Sequence, residues 1–338
     1  RFKLHGQITH LHGAIELYRA ALRLLSNGHP SRFQFLVSIA SSLRTRFDQH
    51  GQTADINEAI EHYHAALRLL PDGDPNCASS LNDLASSLRT RFDQHGQIAD
   101  IDEAIEHCRA ALRLFSDSHP DRLLPLTSLA ISLRSRFERH GQTVDIDKAI
   151  EHYRATLQPL FDGDPHCYLY LNHLGNSLRT RFKRCEKTAD IDEAIEHHRA
   201  ALKLLPDSHP DRPLPLNDLA KSLQIRFKLY GQTADIEEAI GHHRSALQLL
   251  PDSHPDRPWY LDDLANSLRT RFKRYGQAAD IDEAIEHHRT ALQLLPEGHP
   301  NRFRLLVAVA ICLRTRFKQH GRTADIDEAI EHHCTALQ

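Results

Sequence analysis

The feature that most constrains this chain is a period: near copies of one segment, GQAADIDEAIEHHRTALQLLP at 276–296, recur every 45 residues. Ala14, Ala59, Ala104, Ala149, Ala194, Ala239, Ala284 and Ala329 keep that spacing without an insertion. So strict a register marks a repeat array, in which each unit buries its apolar face only against its neighbours. We therefore expect one elongated array over 1–338 instead of the two or three globular domains that 338 residues would ordinarily suggest.

Within the segment, Ile281, Ala284, Ile285, His288, Ala291, Leu292 and Leu295 fall on one face of an amphipathic helix, helix B. Asp280 with Glu283 three residues later has the form of a capping box, Asp282 and Glu286 suit the positive end of the helix dipole, and Pro296 ends the helix. The other half of the repeat reads as helix A over 256–275, with Leu261, Leu264, Ala265, Leu268, Phe272 and Tyr275 on its apolar face. It follows an HPD-type turn whose prolines run in register from Pro30 to Pro300. Ser31, Asn76, Asp121, His166, Asp211, Asp256 and Asn301 follow those prolines as expected N-caps. Gly6, Gly51, Gly96, Gly141, Gly231, Gly276 and Gly321 stand where helix A ends, as a left-handed cap requires. Glu186 breaks that column, which predicts a strained joint there costing about 1 kcal/mol.

Composition bounds the partner only weakly. A chain that is 40% hydrophobic and 26% charged, with net charge -3, has no global attraction for nucleic acid or anionic lipid. Cys77, Cys108, Cys167, Cys185, Cys312 and Cys334 lack C-x-x-C spacing and mostly replace other residue types in their columns, which argues for a reducing, cytoplasmic setting. The longest apolar run, Leu305 to Leu313, is far short of the roughly 18 residues of a membrane span. The chain has no methionine, starts in what elsewhere is the end of a helix and stops inside helix B, so we expect a fragment of a longer protein.

Two antiparallel helices per unit predict an all-α fold, an α-solenoid of about seven and a half helix-turn-helix repeats. Counting from Leu264 and Ala265, the positions Ala284, His288, Ala291 and Pro296 have the spacing of alanine, aromatic, alanine and proline in tetratricopeptide repeats, which the whole chain resembles. That family has a period of about 34; the additional residues lie in helix A, between Gly276 and Ala284, and in the loop before the next repeat. LNDLASSL at 81–88 and LNDLAKSL at 216–223 look most like the kinesin light chain subclass. The Ala65-Ala66, Ala110-Ala111 and Ala200-Ala201 pairs resemble fungal aromatic di-alanine proteins, which often carry a caspase-like CHAT domain; none lies within these residues. The resemblance implies a right-handed superhelix whose helix A face lines a concave groove.

No phosphate-binding loop, dinucleotide fingerprint, H-E-x-x-H or G-x-S-x-G motif occurs, so neither an enzymatic activity nor a cofactor is expected. Twenty-six histidines raise the question of metal. Seven occupy one column from His62 to His332, and His198, His243, His288 and His333 follow directly in the next. Adjacent helical residues cannot chelate one ion, although i, i+4 pairs can, and packing is the expected use, with no metal site.

Arginine recurs in two columns near the end of helix A. The one from Arg46 to Arg316 can pair with the acids that open helix B. The other contains Arg44, Arg89, Arg134, Arg179, Arg269 and Arg314, and joins a polar stripe opposite the core face: Asp262, Asn266, Arg269 and Lys273 in one repeat, and Asn82, Ser86 and Arg89; Asn172, Asn176 and Arg179; and Asn217, Lys221 and Gln224 in others. The stripe is open to two uses, a solvated face or a ligand groove. As a groove, its asparagines could hold the main chain of an extended peptide while its arginines select acidic side chains. The lysine-rich carboxylate clamp of chaperone-binding relatives is not reproduced. We therefore expect a scaffold binding a peptide or protein partner through Asn82, Arg89, Asn172, Asn176, Arg179, Asn217, Lys221, Asp262, Asn266 and Arg269, as a regulatory or sensing arm of a larger protein. A passive spacer is the main alternative. A nucleic-acid-binding solenoid comes third, because the stripe lacks aromatic stacking positions.

Overall fold

A computed structural model describes residues 2–26, 28–71, 73–116, 119–158, 166–299 and 301–337, the first nine of these as backbone only. Every regular element among them is helical. Contacts divide the chain into two compact units, 1–164 and 165–338. Unit 1 holds α1 (Phe2–Leu24), α2 (Arg32–His50), α3 (Thr53–Leu67), α4 (Asn76–His95), α5 (Ile98–Arg113), a 3₁₀ turn (Pro120–Arg122), α6 (Leu123–His140) and α7 (Thr143–Leu157). Unit 2 holds α8 (Cys167–Cys185), α9 (Thr188–Leu204), α10 (Pro213–Tyr230), α11 (Thr233–Leu249), α12 (Arg257–Tyr275), α13 (Ala278–Leu294), α14 (Arg302–His320) and α15 (Thr323–Ala336). Even-numbered helices are helix A and odd-numbered ones helix B. Within each unit every helix packs on the next in sequence, and helix A also meets the helix A one repeat on (α4 with α6; α8, α10, α12 and α14 in succession). This is the all-α solenoid architecture of helix pairs that the period predicts.

The core is built from the columns that fix the register. Ala59, Ala104, Ala149, Ala194, Ala239 and Ala284 are fully buried where helices A and B touch, flanked by Ile56, Ile101, Ile146, Ile191, Ile236 and Ile281. Each such isoleucine contributes about 1.5 to 3 kcal/mol by leaving water.

The joint from helix A to helix B is set by three local devices. Gly51, Gly96, Gly141, Gly231, Gly276 and Gly321 all have φ of 67–73° and donate their N–H to a phenylalanine carbonyl four residues back, such as Phe47 or Phe272. Glu186 takes the same left-handed conformation at φ 54° and donates to Phe182. The third device is an arginine fork: Arg46 Nε and a terminal nitrogen meet both oxygens of Asp55 at 2.8 and 2.7 Å, and the pattern repeats from Arg91–Asp100 through Arg316–Asp325. The carboxylates are buried, so these are charge-assisted, bidentate pairs and not solvated ones. The fork corrects the capping-box reading, since Asp280 is occupied by Arg271 and makes no side-chain cap.

The entry to helix A is also built differently from expectation. Ser31, Asp256 and Asn301 make no side-chain cap, and Asn76 and Asp211 lie inside the helix or ahead of its cap. The histidine of the HPD turn acts instead: Nδ1 of His29, His119, His209, His254 and His299 accepts the backbone N–H two residues on, as Asp74 does for Asn76. The following arginine reaches back. Arg302 donates to the carbonyls of Leu292 and Leu295 at 2.8 and 3.0 Å, closing the preceding helix B, and Arg32, Arg122, Arg212 and Arg257 do likewise. At Gly6 no left-handed cap forms, and α1 runs through it. Glycine accepts helical φ as readily as a left-handed one. None of the described helices is long and apolar enough to cross a membrane.

Candidate binding surface on helix A of unit 2

The polar stripe is not uniformly exposed. Asn82, Asn172, Asn176, Arg179 and Asn217, expected as part of an open ligand-binding ladder, are buried. In unit 2 the physical reason is the contact between successive helix A elements. Asp218 of α10 faces back onto α8 and accepts from Asn172 Nδ2 at 2.9 Å, Asn176 Nδ2 at 2.7 Å and Arg179 at 3.1 Å. Burial alone would raise the Asp218 carboxyl, yet Arg179, Lys221 and His198 hold it well below the usual range. One repeat on, Asp263 takes Asn217 at 2.8 Å and Lys221 at 2.7 Å. These residues are consumed in joining repeats.

The histidines of helix B complete the same network. His198 Nδ1 lies 3.0 Å from Asn172 Oδ1 and His243 Nδ1 2.7 Å from Asn217 Oδ1. Because each amide nitrogen donates to aspartate, the imidazole Nδ1 must be the donor to the amide oxygen. Burial drives both rings below their ordinary pKa, to about 3 for His198 and about 4 for His243. His288, also buried, has Nδ1 3.1 Å from an Asp262 carboxylate oxygen. The buried His198, His243 and His288 therefore serve packing between helices.

What remains accessible is the C-terminal half of the stripe. Asn266 and Arg269 are half-buried and paired at 3.1 Å, while Arg89 is neutralised by Asp93 at 2.9 Å. Arg269 lines a cleft of about 490 Å³ with Phe227, Lys228, Tyr230, Thr270, Lys273 and Arg274. Lys273 also lines a second cleft of about 420 Å³ with Ile311, Arg314, Thr315, Lys318 and Gln319. Among the described residues, none of Lys228, Arg269, Lys273, Arg274, Arg314 and Lys318 has a recorded carboxylate partner. Lys228 reaches only Gln224, at 3.4 Å. Burial first, and then the neighbouring cations, push the Lys228 and Lys273 ammonium groups below their usual pKa.

Sequence reasoning named Arg269 and Lys273 but missed the column to which Lys273 belongs. It reads Asp48, Asp93 and Glu138, then Lys183, Lys228, Lys273 and Lys318. Four residues after the arginine column, an acid that can neutralise it becomes a base that repels it. The signal was present as a change of charge sign within one register position.

No protein-family model and no curated protein matches the chain. Solved structures do. A crystal structure of nearly identical TPR-like repeats of kinesin light chain type from Podosopora anserina is 19% identical over 65% of this chain and 97% of its own, at TM-score 0.47. A monomeric mutant of IFIT1 with Gppp-AAAA is 17% identical at TM-score 0.58, covering 99% of this chain and 66% of that one. The anaphase-promoting-complex hetero-tetramer Cut9-Hcn1 is 17% identical at TM-score 0.44, over 95% of this chain and 59% of the other. Identities this low speak to fold alone. The chain thus has the tetratricopeptide-like helical-repeat fold, in a form with a 45-residue period.

Proposed function

We propose that unit 2 is a protein-interaction scaffold whose helix A face binds an acidic peptide segment of a partner protein. The observation that carries this reading is the pair of adjoining clefts lined by six cations that lack a recorded carboxylate partner. Partly buried like charges repel one another, and an anionic ligand removes that repulsion while gaining charge-assisted hydrogen bonds. Thr270, Thr315, Gln319 and Asn266 beside the cations offer donors and acceptors for a peptide main chain. Asn172, Asn176, Arg179 and Asn217 are engaged in joining successive helix A elements and are not assigned to the ligand.

Single-stranded nucleic acid is the second reading. Tyr230 is 51% exposed at the first cleft and could stack a base, and the IFIT1 structure of the same fold holds Gppp-AAAA. The net charge of -3 counts against it.

Fluorescence anisotropy with a labelled Glu-rich peptide, a neutral peptide of equal length and an oligo-dT separates these readings. The acidic peptide should bind, weaken with added salt, and lose at least about tenfold in affinity with Lys273→Glu, which inserts the type of residue found at Asp48, Asp93 and Glu138. Tighter binding of oligo-dT would favour the nucleic-acid reading. Binding of neither would leave the array a spacer.

A further inference from the structure

Helix B carries a recurrent i, i+4 pair of glutamate and histidine on its surface. His62 lies against Glu58, His107 against Glu103, His197 against Glu193, His242 against Glu238, His287 against Glu283 and His332 against Glu328, each with Nε2 3.2–3.4 Å from Oε1. At four junctions the same glutamate also receives an arginine from the preceding helix B: Arg19 to Glu58, Arg199 to Glu238, Arg244 to Glu283 and Arg289 to Glu328. The arrangement there is a cation, a carboxylate and an imidazole, which satisfies the carboxylate and leaves nothing for a ligand.

At the junction of α3 and α5 the arginine position is held by His64. Its Nε2 lies 3.3 Å from Glu103 Oε1, the same distance that separates Glu103 from His107 Nε2. One donor atom from each of His64, Glu103 and His107 falls within 4.8 Å of the other two. Both helices pack on α4, so the donors from neighbouring repeats are held by the core and not by loops.

We propose that His64, Glu103 and His107 form a binding site for a divalent cation of the zinc type, with a coordination position left open to water or an incoming ligand. Two imidazoles and one carboxylate are a donor set that borderline cations such as zinc favour, and three protein ligands leave a tetrahedral ion one vacancy. A tetrahedral ion with bonds of about 2.0–2.1 Å places its donors about 3.4 Å apart, so both 3.3 Å separations to Glu103 already suit coordination. All three side chains are partly exposed, which gives the ion a path in from solvent. Of the nearby cations, Arg91 is already engaged in its fork with Asp100, and Arg68 is the one left to oppose the ion.

The sequence concealed this site. An i, i+4 Glu–His pair occurs in most repeats and supplies only two ligands, and the third comes from a residue 39 or more positions earlier in a column that otherwise reads mostly arginine. At the next junction the acid itself is gone, replaced by Lys148, and Arg109 turns to Glu106.

The test is calorimetric titration of the purified chain with zinc chloride at neutral pH, alongside cobalt chloride followed by visible absorption. The wild-type chain should show one tight site above a weak background from its other histidines, and an intense cobalt spectrum of low coordination number. His64→Arg should bind at least about tenfold more weakly and lose the spectrum, since even changes outside the ligand set cost 10 to 100-fold in metal sites. That variant installs the residue of the other junctions and regains their Arg–Glu bridge, so its helical melting curve should match wild type. Glu103→Gln is a second variant with the same expectation, and His197→Ala, which removes one ordinary Glu–His pair of another repeat, should leave the tight site intact. Equal affinity and stoichiometry in wild type, His64→Arg and Glu103→Gln would overturn the proposal and reduce zinc binding to scattered surface histidines.

Discussion

Gly175 of α8 lies directly under the ring of His198: a Cβ at Gly175 would stand 2.6 Å from His198 Cε1. The same column holds Ala85, Ala130, Ala220, Ala265 and Ala310 in other repeats. Replacing Gly175 with alanine gains about 1 kcal/mol of helix propensity but forces a fully buried imidazole off its bond to Asn172. We expect a net loss of about 1 to 2 kcal/mol in urea denaturation, turning into a gain of up to about 1 kcal/mol when His198 is already alanine. Additivity of the two substitutions would show that the contact does not matter.

Acid should loosen unit 2. His198 and His243 have folded pKa values of about 3 and 4, below the unfolded value near 6.5. A group depressed in this way stabilises the fold above the unfolded pKa. That stability is lost as pH falls from about 6.5 toward the folded values, because the unfolded chain then binds more protons. At pH 5 each ring should cost about 2 kcal/mol relative to pH 7. The corresponding residues of unit 1, Tyr63, Cys108 and Tyr153, do not titrate in that range. Residue-resolved hydrogen exchange at pH 7 and 5, corrected for intrinsic rates, should show protection falling further in 165–338 than in 1–164, where the rings whose pKa burial lowers, His64 and His152, are less deeply buried. Equal change in both would exclude these rings as the cause.

Removing Arg179 should be costly. With Arg179→Ala, Asp218 keeps its burial and loses its charged partner, a change that typically costs about 3 to 5 kcal/mol. Thermal melting would register it directly, and Asp218→Asn in the same chain should recover part of the loss. This reverses what an exposed stripe would give, where such a substitution stays within about 0.5 kcal/mol.

Glu186→Gly should stabilise the chain by about 1 kcal/mol. Glu186 holds a left-handed backbone at φ 54° that its six aligned glycines adopt without a Cβ. Part of the gain is offset by the greater freedom of glycine in the unfolded chain. A lowered melting temperature would mean that the glutamate side chain contributes more than its backbone costs.

What was legible in the sequence is what short-range geometry decides. The alanine column, the glycine caps and the pairing of Arg46 with Asp55 follow from helical spacing and one tight joint, and each lies where the period put it. The burial of Asn172 and Arg179 was hidden because it depends on a residue of the next repeat. Asp218 looks from the sequence like any other polar position on helix A, and only the approach of α10 to α8 turns it into their partner. The cap assignments failed for a related reason. Asp280 has a stronger offer from Arg271 than from its own helix, and the turn histidine reaches the amide before the N-cap residue can.

The arginine after each HPD turn gives the repeat a seam that does not coincide with the motif. Arg302 opens α14 yet terminates α13 by holding the carbonyls of Leu292 and Leu295. A piece of the chain cut at the end of helix B therefore loses its own stopper, and a piece cut just after the arginine keeps it. The self-sufficient module runs from one arginine to the next, out of phase with the helix pair that the eye picks from the sequence. Where Cys77 takes the arginine's place, its thiol reaches the Pro71 carbonyl at 3.7 Å, and the seam is fastened by a weaker donor.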